Sequence, residues 1–453
     1  MYISQKNIII AGSGLLLYLL LEVFSGMYFL SSAGLALSLV IFMKFVNDIG
    51  NKIEIRDVIA LIAALQWLVG PILAYNFLPE HPLYYMSVSE EVYMNYVFTG
   101  TFIFIIGMYL PIARERTIGK EQFEVLENFV QNRKSLGYIL IGIGLLFSFM
   151  SKFVPGSLAF LFYLLGNMQF VGIFIVLFAD KSFSKWIVFG AVMGALILNS
   201  VAIGMFHELI IWMLFTFLIV AFIVKMGMGV KITIMVTGIV VMLLIQSIKE
   251  EYRYLTWYST SNKSNTEIFQ DILFQRLTDP RYLFQEEVLN NAGARLNQGW
   301  IISRIMDHIP RRNTFVKGET VKNAISAALL PRVLAPSKAK AGGHENFERF
   351  TGIELAKGTS MNLSIIGEAY GNFGVTGGIL FMLILGLLYN GIIVLIIKLS
   401  HNNPTLILWL PLLFFQVIKA ETDFAIVINH LVKSAMVIFV VFYVSKSIFK
   451  IRM

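Results

Sequence analysis

The 453-residue chain contains no cysteine, which excludes a disulfide framework, a thiol nucleophile and a thiolate metal site together. Charge is also scarce. Only 14% of residues are charged against 57% hydrophobic, and the mean hydropathy of +0.73 is too apolar for a soluble domain of this length. The six histidines show no metal-ligand spacing, and neither HExxH, GxxxxGK[ST] nor GxSxG occurs. Zinc chemistry, nucleotide hydrolysis and nucleophile-elbow hydrolysis therefore have no support in the sequence. The formal charge of +8 would suggest nucleic acid in a soluble protein. Here loop topology and anionic lipid headgroups account for it, and no nucleic-acid partner is expected.

What the chain has in abundance is long apolar runs, near residues 8–46, 57–77, 95–113, 136–153, 155–179, 186–203, 205–224, 232–248, 374–397, 405–419 and 428–445. A helix needs about 20 residues to cross a hydrocarbon core of roughly 30 Å. The first run is about twice that length and reads as two helices with a turn between Phe24 and Ser32. The expectation is an all-α polytopic membrane protein with about 12 transmembrane helices. Nine of them lie in residues 1–248 and three in 361–453, around one large extracytoplasmic loop at 249–360. No A-x-A-like site follows the first run, which argues against a cleaved signal peptide.

Loop charges set an expected orientation, because cytoplasmic loops retain Lys and Arg. With the N-terminus inside, the cytoplasmic loops hold Lys44, Lys52 and Arg56; Arg114, Arg116, Lys120, Arg133 and Lys134; Lys181 and Lys185; Lys225 and Lys231; and Lys398. Both termini then face the cytoplasm. Within 114–135, Phe123, Leu126 and Phe129 fall at helical spacing and predict an interfacial helix. In the large loop, Ile248 to Ser259 and Ile268 to Asn290 read as helices, with Pro310, Pro331 and Pro336 breaking the remainder.

That loop carries 16 basic and 12 acidic residues. Its cations include Arg295, Arg304, Arg311, Arg312, Lys317, Lys322, Arg332, Lys338, Lys340 and Arg349. Guanidinium forks bind phosphate oxygens in a bidentate way, so arginines converging beside a membrane suit a pyrophosphate. The plainer reading is a solvated loop, yet segments this long are usually functional or disordered. Trp300, Phe315, Phe347 and Phe350 argue for order. A second constellation runs from Thr359 to Gly374, where Glu368 follows an apolar stretch at the membrane edge among Gly367, Gly371 and Gly374. An ionisable group there is a functional candidate, and glycine-mediated packing with Glu368 bonded to a loop arginine is the structural alternative. The third set, His207 with Glu208 and Glu421 with Asp423 and His430, reads more simply as groups standing in water at helix ends.

Leu330-Pro331-Arg332 followed by Pro336 and Lys338, then Gly367-Glu368-Ala369-Tyr370-Gly371-Asn372-Phe373-Gly374 entering the next span, resembles the Wzy-type oligosaccharide repeat unit polymerases. O-antigen ligases are a broader relative of similar layout. The resemblance is most specific over residues 295–385 and topological elsewhere. It implies a GT-C-like glycosyltransferase of the bacterial inner membrane that needs neither nucleotide sugar, metal nor other cofactor. Its partners would be an undecaprenyl pyrophosphate-linked oligosaccharide, membrane lipids, a chain-length regulator and a flippase. A pyrophosphate leaving group needs fixed cations and an acceptor hydroxyl needs orientation or a base, so the expected catalytic residues are Arg332, Arg295 and Glu368, the last as base or acceptor-positioning group, with substrate contacts from Arg304, Arg311, Lys338, His344, Arg349, Tyr370 and Asn372. Trp257, Tyr258, Trp300 and Phe347 would stack on sugar rings or, equally, form the loop's own core. Neither His308 nor His344 matches the histidine that the ligases use, which favours a polymerase over a ligase. A transporter of lipid-linked sugars would be expected to show repeated halves and mid-membrane charges, and the sequence shows neither.

Overall fold

The computed structural model describes residues 5–115, 117–258, 263–279, 281–282, 285–329, 343–356 and 359–453. Helices α1 (Gln5–Phe24) and α2 (Phe29–Asp48) form from the first apolar run, and the turn between them falls where its length requires one. The next crossing is Ile55–Asn76, built from α3 (Ile55–Ala63), a π-helical stretch Ala64–Val69 and α4 (Gly70–Asn76). Helix α5 (Glu90–Tyr109) follows, then α6 (Lys120–Val130) and α7 (Lys134–Met150), which meet at a bend of 89°. Phe123 and Leu126 of α6 are buried as their spacing predicts, Phe129 is half-buried and Val130 completes the buried face, while the glutamates face outward, so this helix is amphipathic.

The chain continues through α8 (Gly156–Gly166), α9 (Met168–Ala179), α10 (Ser184–Ile203), α11 (His207–Val224) and α12 (Met228–Arg253). The loop expected at 249–360 is helical. It contains α13 (Asn265–Thr278), α14 (Glu286–Leu296), α15 (Gly299–Arg312), α16 (Glu319–Leu329) and α17 (His344–Thr351). Last come α18 (Ile365–Ser400), a 3₁₀ turn Pro404–Trp409 with α19 (Leu410–Phe414), and α20 (Phe424–Ser447). Among the described residues, ten helices are long and apolar enough to cross a membrane. Two shorter apolar elements, α7 and Pro404–Phe414, carry the chain between the bundle's ends where those ten do not.

Three sequence expectations need correction. Of Ile248 to Ser259, the part up to Tyr258 is not a separate loop helix but the end of α12 and its π-helical turn, and Ser259 lies outside the described residues. Ile268 to Asn290 is split between α13 and α14. Pro310 lies inside α15 and does not break it. It sits in the last turn, where few residues remain beyond it to be disturbed.

The head of the bundle is the end where α18 and α20 begin; the foot is the end where they finish. At the foot, Asp57 accepts hydrogen bonds from Lys44 and Tyr109, Lys52 pairs with Asp48 at 2.9 Å, and Arg56 bridges Glu54 (2.6 Å) and Asn390 (3.0 Å). Helices α5 and α18 pack along their length, with Gly107 and Gly386 letting the two backbones touch. Gly374, at φ 68°, kinks α18 and separates a head segment from a membrane-spanning one. Loop helices α15 and α17 sit on that head segment: Ile305 packs against Gly367, and Phe350 against Gly371.

Candidate functional site

Two polar centres occupy the head. The first is built around Glu368, which is only 2% exposed. The Thr320 hydroxyl of α16 donates to Glu368 Oε1 at 2.6 Å, and the Phe424 backbone N–H opening α20 donates to Oε2 at 2.8 Å. The Asn372 amide, one turn along α18, donates to Thr320 Oγ1 and to the Glu368 carbonyl, both at 2.8 Å. The Asp423 carboxylate accepts from the Leu363 N–H, and burial together with the facing Glu368 charge pushes its carboxyl well above the usual range. Ser364 holds a strained backbone (φ 62°, ψ 138°) because its hydroxyl accepts from Trp67 Nε1 (2.8 Å) and donates to the Ala420 carbonyl (2.6 Å). Tyr370 is buried edge-on against Tyr96 and Phe315. This centre binds α16, α18 and α20 to one another, and both oxygens of its central carboxylate are engaged.

The second centre is open. His207 begins α11, Lys249 and Arg253 end α12, Arg295 is in the last turn of α14, and Lys419 and Glu421 lie in the turn before α20. Charge neighbours of Lys249 are Arg295, Arg253 and Glu421; those of His207 are Lys419, Glu421 and Lys249. His207 Nδ1 is 3.5 Å from Glu421 Oε1, and Gln66 reaches the other Glu421 oxygen at 3.4 Å. The His207 and Glu421 side chains are 49% and 33% exposed, and Arg295 is exposed, so the group is accessible from the head side. Burial pushes the Lys419 ammonium down to about 8, despite Glu208 and Glu421 nearby. Four cations face two carboxylates here, which leaves an excess of positive charge at the rim of the bundle.

The structure therefore sorts the expected site residues. Arg295 joins the open cluster. Arg349 makes a bidentate pair with Glu319 at 3.0 Å on each arm, which holds the Glu319 carboxyl below its usual range. Arg304 donates to the Thr351 carbonyl at 3.0 Å, and Arg311 pairs with Asp307 at 2.8 Å. His344 meets the Thr359 carbonyl at 2.9 Å and Glu348 at 3.3 Å. Each of these four is thus tied into the loop's own scaffold. Trp300 and Phe347 are buried in the core rather than offered to a sugar. Arg332, Lys338 and Lys340 lie outside the described residues, as do the side chains of Trp257 and Tyr258.

His207, Glu208 and Glu421 do not simply stand in water, as their sequence positions suggest; they join the buried-to-open cluster around Lys419. His430 is separate and buried, with Nε2 2.8 Å from the Leu412 carbonyl. Sequence reasoning missed Lys249, Arg253 and Lys419. The available signal was that each lies at the end of an apolar run, at the level where snorkelling cations meet headgroups. No protein-family model, curated protein or solved structure matches this chain.

Proposed function

We propose that the protein is a glycosyltransferase of the polysaccharide polymerase type, moving a growing glycan from undecaprenyl pyrophosphate to a lipid-linked oligosaccharide at the outer face of the bacterial inner membrane. The observation that carries this reading is the open cationic cluster of Lys249, Arg295 and Lys419 at the bundle head, beside Arg253, whose guanidinium donates to the Gly204 carbonyl at 3.2 and 3.1 Å. A pyrophosphate leaving group develops negative charge as the glycosidic bond breaks, and fixed cations stabilise that charge with little reorganisation. A lipid-linked donor presents its pyrophosphate at the headgroup level, where these side chains emerge. His207 and Glu421 at the cluster's rim are within reach of an acceptor hydroxyl and supply a hydrogen-bonding pair to orient it. Arg332 and Lys338 enter this reading through the family resemblance alone.

The test uses purified protein in proteoliposomes with an undecaprenyl pyrophosphate-linked repeat unit, reading polymer length on a gel. Arg295→Ala and Lys419→Ala are each expected to slow polymerisation at least tenfold, equivalent to about 1.4 kcal/mol or more. Arg349→Ala, removing a cation already paired with Glu319, is expected to change it by less than about twofold. Full polymerisation by both cluster variants in an intact fold would overturn the assignment.

A further inference from the structure

We infer that α16 is a re-entrant helix, dipping into the membrane beside α20 and presenting Ile325 and Leu329 to lipid acyl chains. This surface is independent of the glycan-transfer reading. Thr320, in the first turn of α16, and Phe424, the first residue of α20, donate to the two oxygens of one carboxylate, so both helices begin at the same level. Helix α16 then packs along α20, with Ala324 and Ala328 buried. Because α20 starts at Phe424 and crosses the membrane, a helix that starts beside Phe424 and stays against α20 must descend with it. Its 11 residues reach about 16 Å, roughly half of a hydrocarbon core.

Residue order agrees with this descent. Glu319, Thr320, Lys322 and Asn323, with Val321 among them, come first, at headgroup level; Ala324, Ile325, Ala327, Ala328 and Leu329 follow, with Ser326 the one polar residue among them. The small residues take the face against α20, as helix contacts in lipid prefer. Ile325 and Leu329, four positions apart and so on one face, are 42% and 65% exposed. After α16 the described chain resumes at Gly343, packed against Met361 and Asp423 at the head. The chain thus enters and leaves by the same side. Among the described residues, Ile325 and Leu329 are the large apolar side chains of α16 left exposed to lipid.

The absence of native cysteine makes a spin-label test direct. Single nitroxides on Lys322→Cys, Ile325→Cys and Leu329→Cys are placed in the full-length protein in proteoliposomes, and their collision rates with oxygen and with a water-soluble nickel chelate are compared. The oxygen-to-nickel ratio is expected to rise stepwise from 322 to 325 to 329. Nickel access at 325 and 329 equal to that of Lys263→Cys, on an exposed part of the same loop, would overturn the proposal; so would a flat ratio along the helix. Since two lipid-facing positions are probed, a folding failure in one variant leaves the other to decide, with the melting transition as the check.

Discussion

Single residues at the head divide into those that hold and those that meet a ligand. Glu368 holds: removing it as Glu368→Ala leaves the Thr320 hydroxyl and the Phe424 N–H without their acceptor, at about 1–3 kcal/mol each. The variant should melt well below the parent in a detergent thermal scan. Glu368→Gln keeps the shape and one acceptor oxygen, so a holding role predicts near-parental polymerisation, whereas a general base would lose at least tenfold; the engaged oxygens favour the first outcome. In the proposed reaction Lys419 would meet the donor, and its lowered pKa of about 8 gives a pH signature. As pH rises through 8 the ammonium loses its proton and the cluster loses a positive charge, so affinity for an anionic donor should fall between pH 7 and 9. An ordinary lysine, near 10.4, would stay charged over that range. Lys419→Arg, protonated throughout, should make the profile shallower, the remaining slope belonging to Lys249 of the same cluster; a KM for the lipid-linked donor that rises equally in both proteins would refute the role.

At the scale of elements, the packing of α5 on α18 is set by two glycines. A side chain on Gly386 would drive into the Phe104 carbonyl, so Gly386→Val should cost about 1–3 kcal/mol through forced separation of the helices. A melting temperature unchanged from the parent would show that the contact is not tight. The crossings themselves were legible in the sequence, because the membrane demands long apolar runs and the chain has few charges to interrupt them. The break between α1 and α2 was legible for the same reason of length. The head was less so. Glycines and Glu368 marked 367–378 as unusual, but the bonds from Thr320 and Phe424 join segments about 50 residues distant on either side, and periodicity carries no such pairing. The open cluster was harder still: His207, Lys249, Arg295 and Lys419 come from four segments spread over half the chain, each an ordinary helix-end cation or histidine when read alone.

For the whole molecule, the two ends differ in how their charge is managed, and this bears on orientation. At the foot, Lys44, Lys52 and Arg56 are matched by Asp48, Asp57 and Glu54, so part of the positive charge expected of a cytoplasmic face is internally neutralised. The unmatched lysines of the loops, such as Lys181, still accumulate at that end, while the short loop at 77–89 on the head side has no Lys or Arg. Retention of Lys and Arg on the cytoplasmic side gives the expectation that the foot lies inside and the cationic cluster outside, since acids count little in that rule. A cysteine-free chain permits a clean check. Lys263→Cys, beside α13 on the head, should react with a membrane-impermeant maleimide in intact spheroplasts, and Lys181→Cys, at the foot, only after permeabilisation. The reverse pattern would put the cluster in the cytoplasm, where it could not act on a donor presented at the outer leaflet, and would overturn the proposed reaction together with the orientation.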